Sequence, residues 1–149
     1  MQVRPVSPDD LPELLPLIAD YQRFYDNAAP DDRHNAAFFG RFVAPSERGM
    51  LLGAYDEDGV LAGYTCLYWT YSSISATDVV LLNDLYVRPS HRGAGVGEAL
   101  IAAARDVAAE RGCSHLRWAT TLDNRRAQRL YERVGAERVA LFEYEIDLR

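Results

Sequence analysis

The chain has 149 residues, 48% hydrophobic and 26% charged, enough for one self-supporting core over residues 1–149 and too apolar for a disordered or fibrous protein. A formal charge of −6 leaves no basic footprint, so neither nucleic acid nor an anionic membrane is expected as the main partner, although solubility alone also explains a modest acidic excess. Cys66 and Cys113 stand apart with no Cys/His cluster, and no apolar run reaches the roughly 18 residues of a membrane span; disulfide, metal and transmembrane designs have no support, and the cytoplasm is the expected location.

In chain order, residues 1–6 alternate polar and apolar as a strand, and Ser7-Pro8-Asp9-Asp10 supplies the turn and cap for a helix. Leu14, Leu17, Ile18, Tyr21 and Tyr25 follow the three-and-four spacing of one helical face. Pro30-Asp31-Asp32 then precedes a second helix expected near 34–43. Strands are predicted over 50–55, 60–71 and 78–87, separated by Asp56-Glu57-Asp58-Gly59 and a serine-rich break, as an antiparallel meander.

Glycines open a further helix over about 96–111, whose apolar stripe of Val96, Leu100, Ile101, Ala104, Val107 and Ala108 fits packing on a sheet. A strand over 116–122 follows, then a short helix capped by Asp123-Asn124 with Ala127, Leu130, Tyr131 and Val134 inward, stopped at Gly135. The last predicted strand, 139–148, alternates Phe142, Tyr144, Ile146 and Leu148 with Glu143, Glu145 and Asp147. His91 and His115 read as surface or packing residues.

The chemistry-bearing stretch is Asn83-Asp84-Leu85-Tyr86-Val87 followed by Arg92-Gly93-Ala94-Gly95-Val96-Gly97, a strand feeding a glycine turn that opens a helix. A Walker loop needs Lys and Ser or Thr after its last glycine, but Glu98-Ala99 stands there. A dinucleotide fingerprint needs its glycines nearer the strand and differently spaced. What remains is R-x-x-G-x-G, a turn without bulky side chains whose backbone N–H groups converge on a phosphate at a helix N-terminus, or else a plain glycine cap.

Taken with the Asn124 to Tyr131 helix and Arg133-Val134-Gly135-Ala136, this set resembles the GCN5-related N-acetyltransferase (GNAT) family, from about residue 51 to the C-terminus. Tyr21 to Tyr25, Tyr68-Trp69-Thr70-Tyr71-Ser72 and residues 83–87 are most similar to its polyamine and yeast histone/polyamine acetyltransferase branch. The resemblance implies an α/β GNAT fold: a mixed, mainly antiparallel sheet with helices on both faces, splayed between its fourth and fifth strands to admit acetyl-CoA. It implies acetyl transfer to an amine acceptor by direct transfer in a ternary complex, without metal, and it allows a homodimer.

Carried onto this chain, the resemblance puts the pantetheine arm along the backbone of Leu85, Tyr86 and Val87, and the pyrophosphate in the turn of Arg92, Gly93, Ala94, Gly95, Val96 and Gly97. Asn124 and Ala127 would line the coenzyme, and Tyr131 would protonate the departing thiolate unless it is simply a core aromatic. Asp84 is the candidate base, with a structural carboxylate as the other reading. Tyr21, Tyr25, Tyr68, Tyr71 and Asp84 are the candidate acceptor pocket, suited to an alkylammonium, or else ordinary half-buried residues. The preceding residue is Asn83, which takes no proton, and strand neighbours face opposite sides unless a bulge re-aims one. A coenzyme-A-binding sensor without turnover, and a nucleotide-binding domain, are the other classes.

Overall fold

A computed structural model describes residues 1–149, which fall into two compact units, 1–119 and 120–149. The first contains a five-stranded sheet in the order β1-β2-β3-β4-β5, from Gln2–Pro5, Gly49–Tyr55, Leu61–Ser72, Thr77–Val87 and His115–Arg117. The first four strands pair antiparallel, as tight turns allow. β5 joins β4 in parallel, because helix α3 (Val96–Glu110) makes the crossover between them.

Helices cover both faces of this sheet. Leu14, Leu17 and Ile18 of α1 (Leu11–Phe24) are at most 1% exposed and share one core with Leu51, Tyr64 and Cys66. The next residue back on β3, Gly63, faces the other way: a Cβ built on it would lie 3.1 Å from Val96 Cγ1 at the start of α3. Each buried leucine contributes about 2 kcal/mol of transfer free energy. Burial on both faces also explains why β2 and β3 read as nearly continuous apolar runs.

The start of α1 is fixed to β1 by charge. Asp10 accepts from the Ser7 backbone N–H at 2.9 Å and from Arg4 at 2.6 Å, and the Arg4 hydrogen bond is the main cause that holds its carboxyl well below the usual range. The second helix, α2, spans Asp32–Phe39 and passes into a 3-10 turn at Gly40–Phe42. It begins before the expected residue 34 because the Asp31 side chain caps it, accepting from the His34 N–H at 2.9 Å.

Two expectations are corrected. The strand expected over 116–122 is only His115–Arg117, since its ladder to β4 ends at the pair Leu81↔Arg117. Residues 139–148 carry no strand, although their alternation is that of one. A strand is defined by its neighbour, and the sheet has no sixth member.

In the second unit, α4 (Arg125–Arg133) is capped by Asn124, whose Oδ1 accepts from the Ala127 N–H at 3.2 Å. The helix is closed at Gly135, whose φ of 80° is the left-handed conformation that ends helices.

The close approach at Gly63 yields a stability prediction. An added Cβ would also lie 2.6 Å from the Tyr86 carbonyl oxygen, which belongs to backbone and cannot give way. Gly63→Val should lower the unfolding free energy by about 2–3 kcal/mol, read from urea titration at constant m. An unchanged midpoint would show that β3 and α3 are less closely apposed than described.

Candidate active site

The site begins with an extra residue in β4. Cys66 pairs with Asp84, but the next pair along is Leu67 with Leu82, so Asn83 is left over as a β-bulge. The bulge breaks the alternation of β4. Asp84 and Tyr86 lie on the face of Tyr64 and Cys66, toward α1, while Leu82 shares the opposite face with Leu67. Asn83 and Asp84 are thereby brought together, with Asn83 Nδ2 donating to Asp84 Oδ1 at 2.6 Å.

Asp84 is 2% exposed. Burial pushes its carboxyl up to about 6, although hydrogen bonds from Asn83 and from the Tyr64 hydroxyl, 3.4 Å from Oδ2, pull the other way. Its backbone oxygen accepts from Thr65 Oγ1 at 2.7 Å, which fixes the strand beneath it. Burial first, then the charge of Asp84, raises the Tyr64 phenol well above its ordinary value and raises the Cys66 thiol as well.

Aromatic rings surround this carboxylate. Tyr21 and Tyr25 lie with centroids 5.0 Å apart, Tyr21 meets Tyr64 edge-on at 6.3 Å, and Tyr64 lies 6.5 Å from Tyr86. The Tyr21 hydroxyl donates to the Asn83 carbonyl at 3.4 Å, so α1 reaches the bulge directly. Tyr68 stacks on Phe42 at 5.1 Å, and its phenol is raised by burial and then by Asp84. Of the expected pocket, Tyr71 stands apart: it pairs with Asp78 at the far end of β3 and is 73% exposed.

Tyr64 and the ring of Tyr86 were missed in the sequence. Tyr64, Cys66 and Tyr68 occupy alternate positions of one strand, a signal that the apolar run around them hides. Once Tyr68 is assigned to a face, Tyr64 follows by the same period.

Beside this cluster, β4 has an open edge. Its ladder to β5 covers only residues 79–81, so the outer edge of 82–87 has no strand partner. The glycine turn follows. Gly93 and Gly95 have φ of 81° and 79°, and a Cβ on either would meet nothing within 4 Å, so the turn faces open space. Gly95 caps α3, whose first intrahelical bond here runs from the Ala99 N–H to the Gly95 carbonyl at 3.0 Å. The N–H groups of Val96 and Gly97 precede it, at the positive end of a helix, where an anion is favoured.

Arg92 is exposed, with Nε donating to the Val87 carbonyl at 3.0 Å and its guanidinium 5.7 Å from the centre of the Tyr86 ring. His91 Nε2 lies 3.0 Å from Asp56 Oδ2, which ties the turn to the β2–β3 connection. In the second unit Tyr131 is half-buried on α4, and the Asn124 side chain is engaged in capping that helix.

Comparison with known proteins bears on the family and the fold. The sequence pattern of the acetyltransferase (GNAT) family matches residues 12–136. An uncharacterized N-acetyltransferase, YhfO of Bacillus subtilis, is 36% identical over 137 residues, covering 92% of this chain and 90% of its own. The D-amino-acid N-acetyltransferase HPA3 of Saccharomyces cerevisiae is 32% identical over 134 residues, covering 89% and 83%. The crystal structure of a probable acetyltransferase superposes with a TM-score of 0.88 at 27% identity, over 100% of this chain and 99% of that one. The chain belongs to the acetyltransferase (GNAT) family of acetyl-CoA-dependent enzymes.

Proposed function

We propose that the protein transfers acetyl from acetyl-CoA directly to a cationic primary amine in a ternary complex, with Asp84 accepting the amine's proton and Tyr131 protonating the leaving thiolate. The observation that carries this reading is a buried carboxylate with its carboxyl at about 6 under a cluster of tyrosine rings. An alkylammonium has no lone pair to attack with, so a proton must leave first. Passing it to an ordinary aspartate, at 3.8, is uphill by about 9 kcal/mol, whereas a carboxyl at about 6 reduces this to roughly 6 kcal/mol. Burial thus makes Asp84 a base better by roughly a hundredfold.

The tyrosine faces and the carboxylate together favour an alkylammonium over a neutral or anionic acceptor. Polyamines, lysine-like side chains and amino acids all present such a group. On the coenzyme side, the open edge at Leu85, Tyr86 and Val87 suits the amide groups of the pantetheine arm, and the turn of Arg92 to Gly97 suits its pyrophosphate. Asn124 and Ala127 are assigned to the coenzyme's other flank. Thiol release measured over a panel of polyamines, amino acids, lysine peptides and aminoglycosides tests the reading. Binding of acetyl-CoA without release on any amine would favour a coenzyme sensor instead.

Asp84→Asn should lower kcat by roughly 10²-fold or more and leave acetyl-CoA affinity unchanged. It should also stabilise the protein. The folded carboxyl at about 6 lies above the unfolded value of 3.8, so the native state binds more protons between them, and stability falls as pH rises through that window. The full penalty, about 3 kcal/mol, is present above roughly pH 7 and absent below roughly pH 4. Urea midpoints of wild type and Asp84→Asn should therefore converge in acid and separate at pH 8; parallel midpoints with equal kcat would remove Asp84 from the mechanism.

Tyr131→Phe nearly preserves packing and should keep coenzyme affinity while reducing kcat by roughly 10²-fold. A kcat within about twofold of wild type, with chemistry rate-limiting, assigns the ring to packing alone.

Gly95→Val should abolish acetyl-CoA binding in calorimetric titration. The positive φ adds strain of about 1–2 kcal/mol, small enough for the fold to survive, while the new side chain points into open space that the pyrophosphate would use. A folded variant with wild-type affinity would make the turn only a helix cap.

A further inference from the structure

We propose that His91 and Asp56 are a positioning pair for the coenzyme: by tying the glycine turn to the β2–β3 connection, they hold that turn in the shape that takes the pyrophosphate. The proposal rests on the reading of Arg92 to Gly97 as the pyrophosphate turn. Neither side chain has a part in the acetyl transfer itself.

The turn needs a hold from outside. The ladder of β4 to β3 ends at the pair Gly63↔Val87 and α3 begins at Val96, so residues 88–95 have no strand or α-helix of their own. Gly93, Ala94 and Gly95 are exposed, and both glycines have positive φ, a conformation that glycine leaves as readily as it enters. An anion site made of backbone N–H groups binds well when those groups already converge; otherwise the cost of ordering them is subtracted from the affinity.

Two ties supply the hold. At the start of the segment, the Arg88 backbone N–H donates to the Ala62 carbonyl at 2.8 Å and its Nε to the Leu61 carbonyl at 2.7 Å. At the end of a 3-10 turn over Pro89–His91, directly before Arg92, His91 Nε2 lies 3.0 Å from Asp56 Oδ2. The two side chains are only 23% and 24% exposed, so the pair is covered rather than splayed into solvent.

Each partner is fixed in its own right. The other ring nitrogen of His91, Nδ1, lies 2.9 Å from Ser90 Oγ. Asp56 Oδ1 accepts from the Asp58 and Val60 N–H groups, both at 2.9 Å, which closes the connection between β2 and β3. One carboxylate oxygen thus builds the turn while the other reaches His91. The glycine turn is anchored to a closed loop between two sheet strands, not to another mobile segment.

The test compares two acetyl donors on the full chain. His91→Ala should weaken acetyl-CoA binding about five- to tenfold in calorimetric titration and lower kcat/KM for acetyl-CoA to match. With S-acetylpantetheine, which carries no pyrophosphate, kcat/KM should stay within about twofold of wild type. His91→Gln sets an amide nitrogen where the imidazole has Nε2 and should restore binding to within about twofold; His91→Asn, too short for Asp56, should not. In the protein without coenzyme, amide exchange over 92–97 should be faster in His91→Ala while the core strands keep their protection. Wild-type affinity or unchanged exchange in His91→Ala, an equal loss with both donors, or no rescue by Gln would each overturn the proposal. Gly95→Val keeps the two readings apart. If it retains acetyl-CoA affinity, the turn is not the pyrophosphate site; if it loses affinity and His91→Ala does not, the positioning pair alone fails.

Discussion

One extra residue in β4 sets the geometry of the whole site. Were the strand regular, Asp84 and Leu82 would share a face, and the aspartate would have either to join the α3 side of the sheet or to drive Leu82 out of its core position. The bulge at Asn83 lets both residues be buried, each on its own side. It also frees the Asn83 carbonyl for Tyr21 and turns the Asn83 amide onto Asp84. A bulge bends and twists the strand that bears it, and the β4–β5 ladder stops two residues short of it, at Leu81. The proposed acceptor cluster and the open edge proposed for the coenzyme thus adjoin the same bulge.

That geometry holds a carboxylate whose charged form burial disfavours. Nothing cationic is bonded to Asp84; its partners are an amide, and a phenol at the limit of hydrogen-bond distance. Elsewhere the protein treats acids conventionally, as at Asp10, which has Arg4 and two Ser7 donors. The contrast between a fully satisfied aspartate at a helix start and an under-satisfied one among tyrosines separates scaffold from site.

Much of this was legible from the amino acids. The stripes of α1 and α3, the meander, the glycine turn and the cap at Asn124 all have local signatures, and each forms where its signature lies. The bulge has none: Asn83 is no glycine, and an unpaired residue in a ladder is a relation between two strands rather than a property of one. The same limit explains the strand ends. The pattern of 116–122 is extended throughout, but only His115–Arg117 acquires a ladder to β4. For 139–148 the pattern names a strand's faces without naming its neighbour.

The position of Cys66 has a chemical consequence. It pairs across the sheet with Asp84, in the floor of the proposed acceptor site, and it is a sulfur nucleophile. A thiolate there could exchange with a thioester and divert the acyl group onto the protein itself. Burial, with the neighbouring negative charge, keeps that sulfur protonated and out of reach. The same burial that underlies the proposed role of Asp84 as a base therefore also keeps the Cys66 thiol from competing with the amine in the proposed reaction.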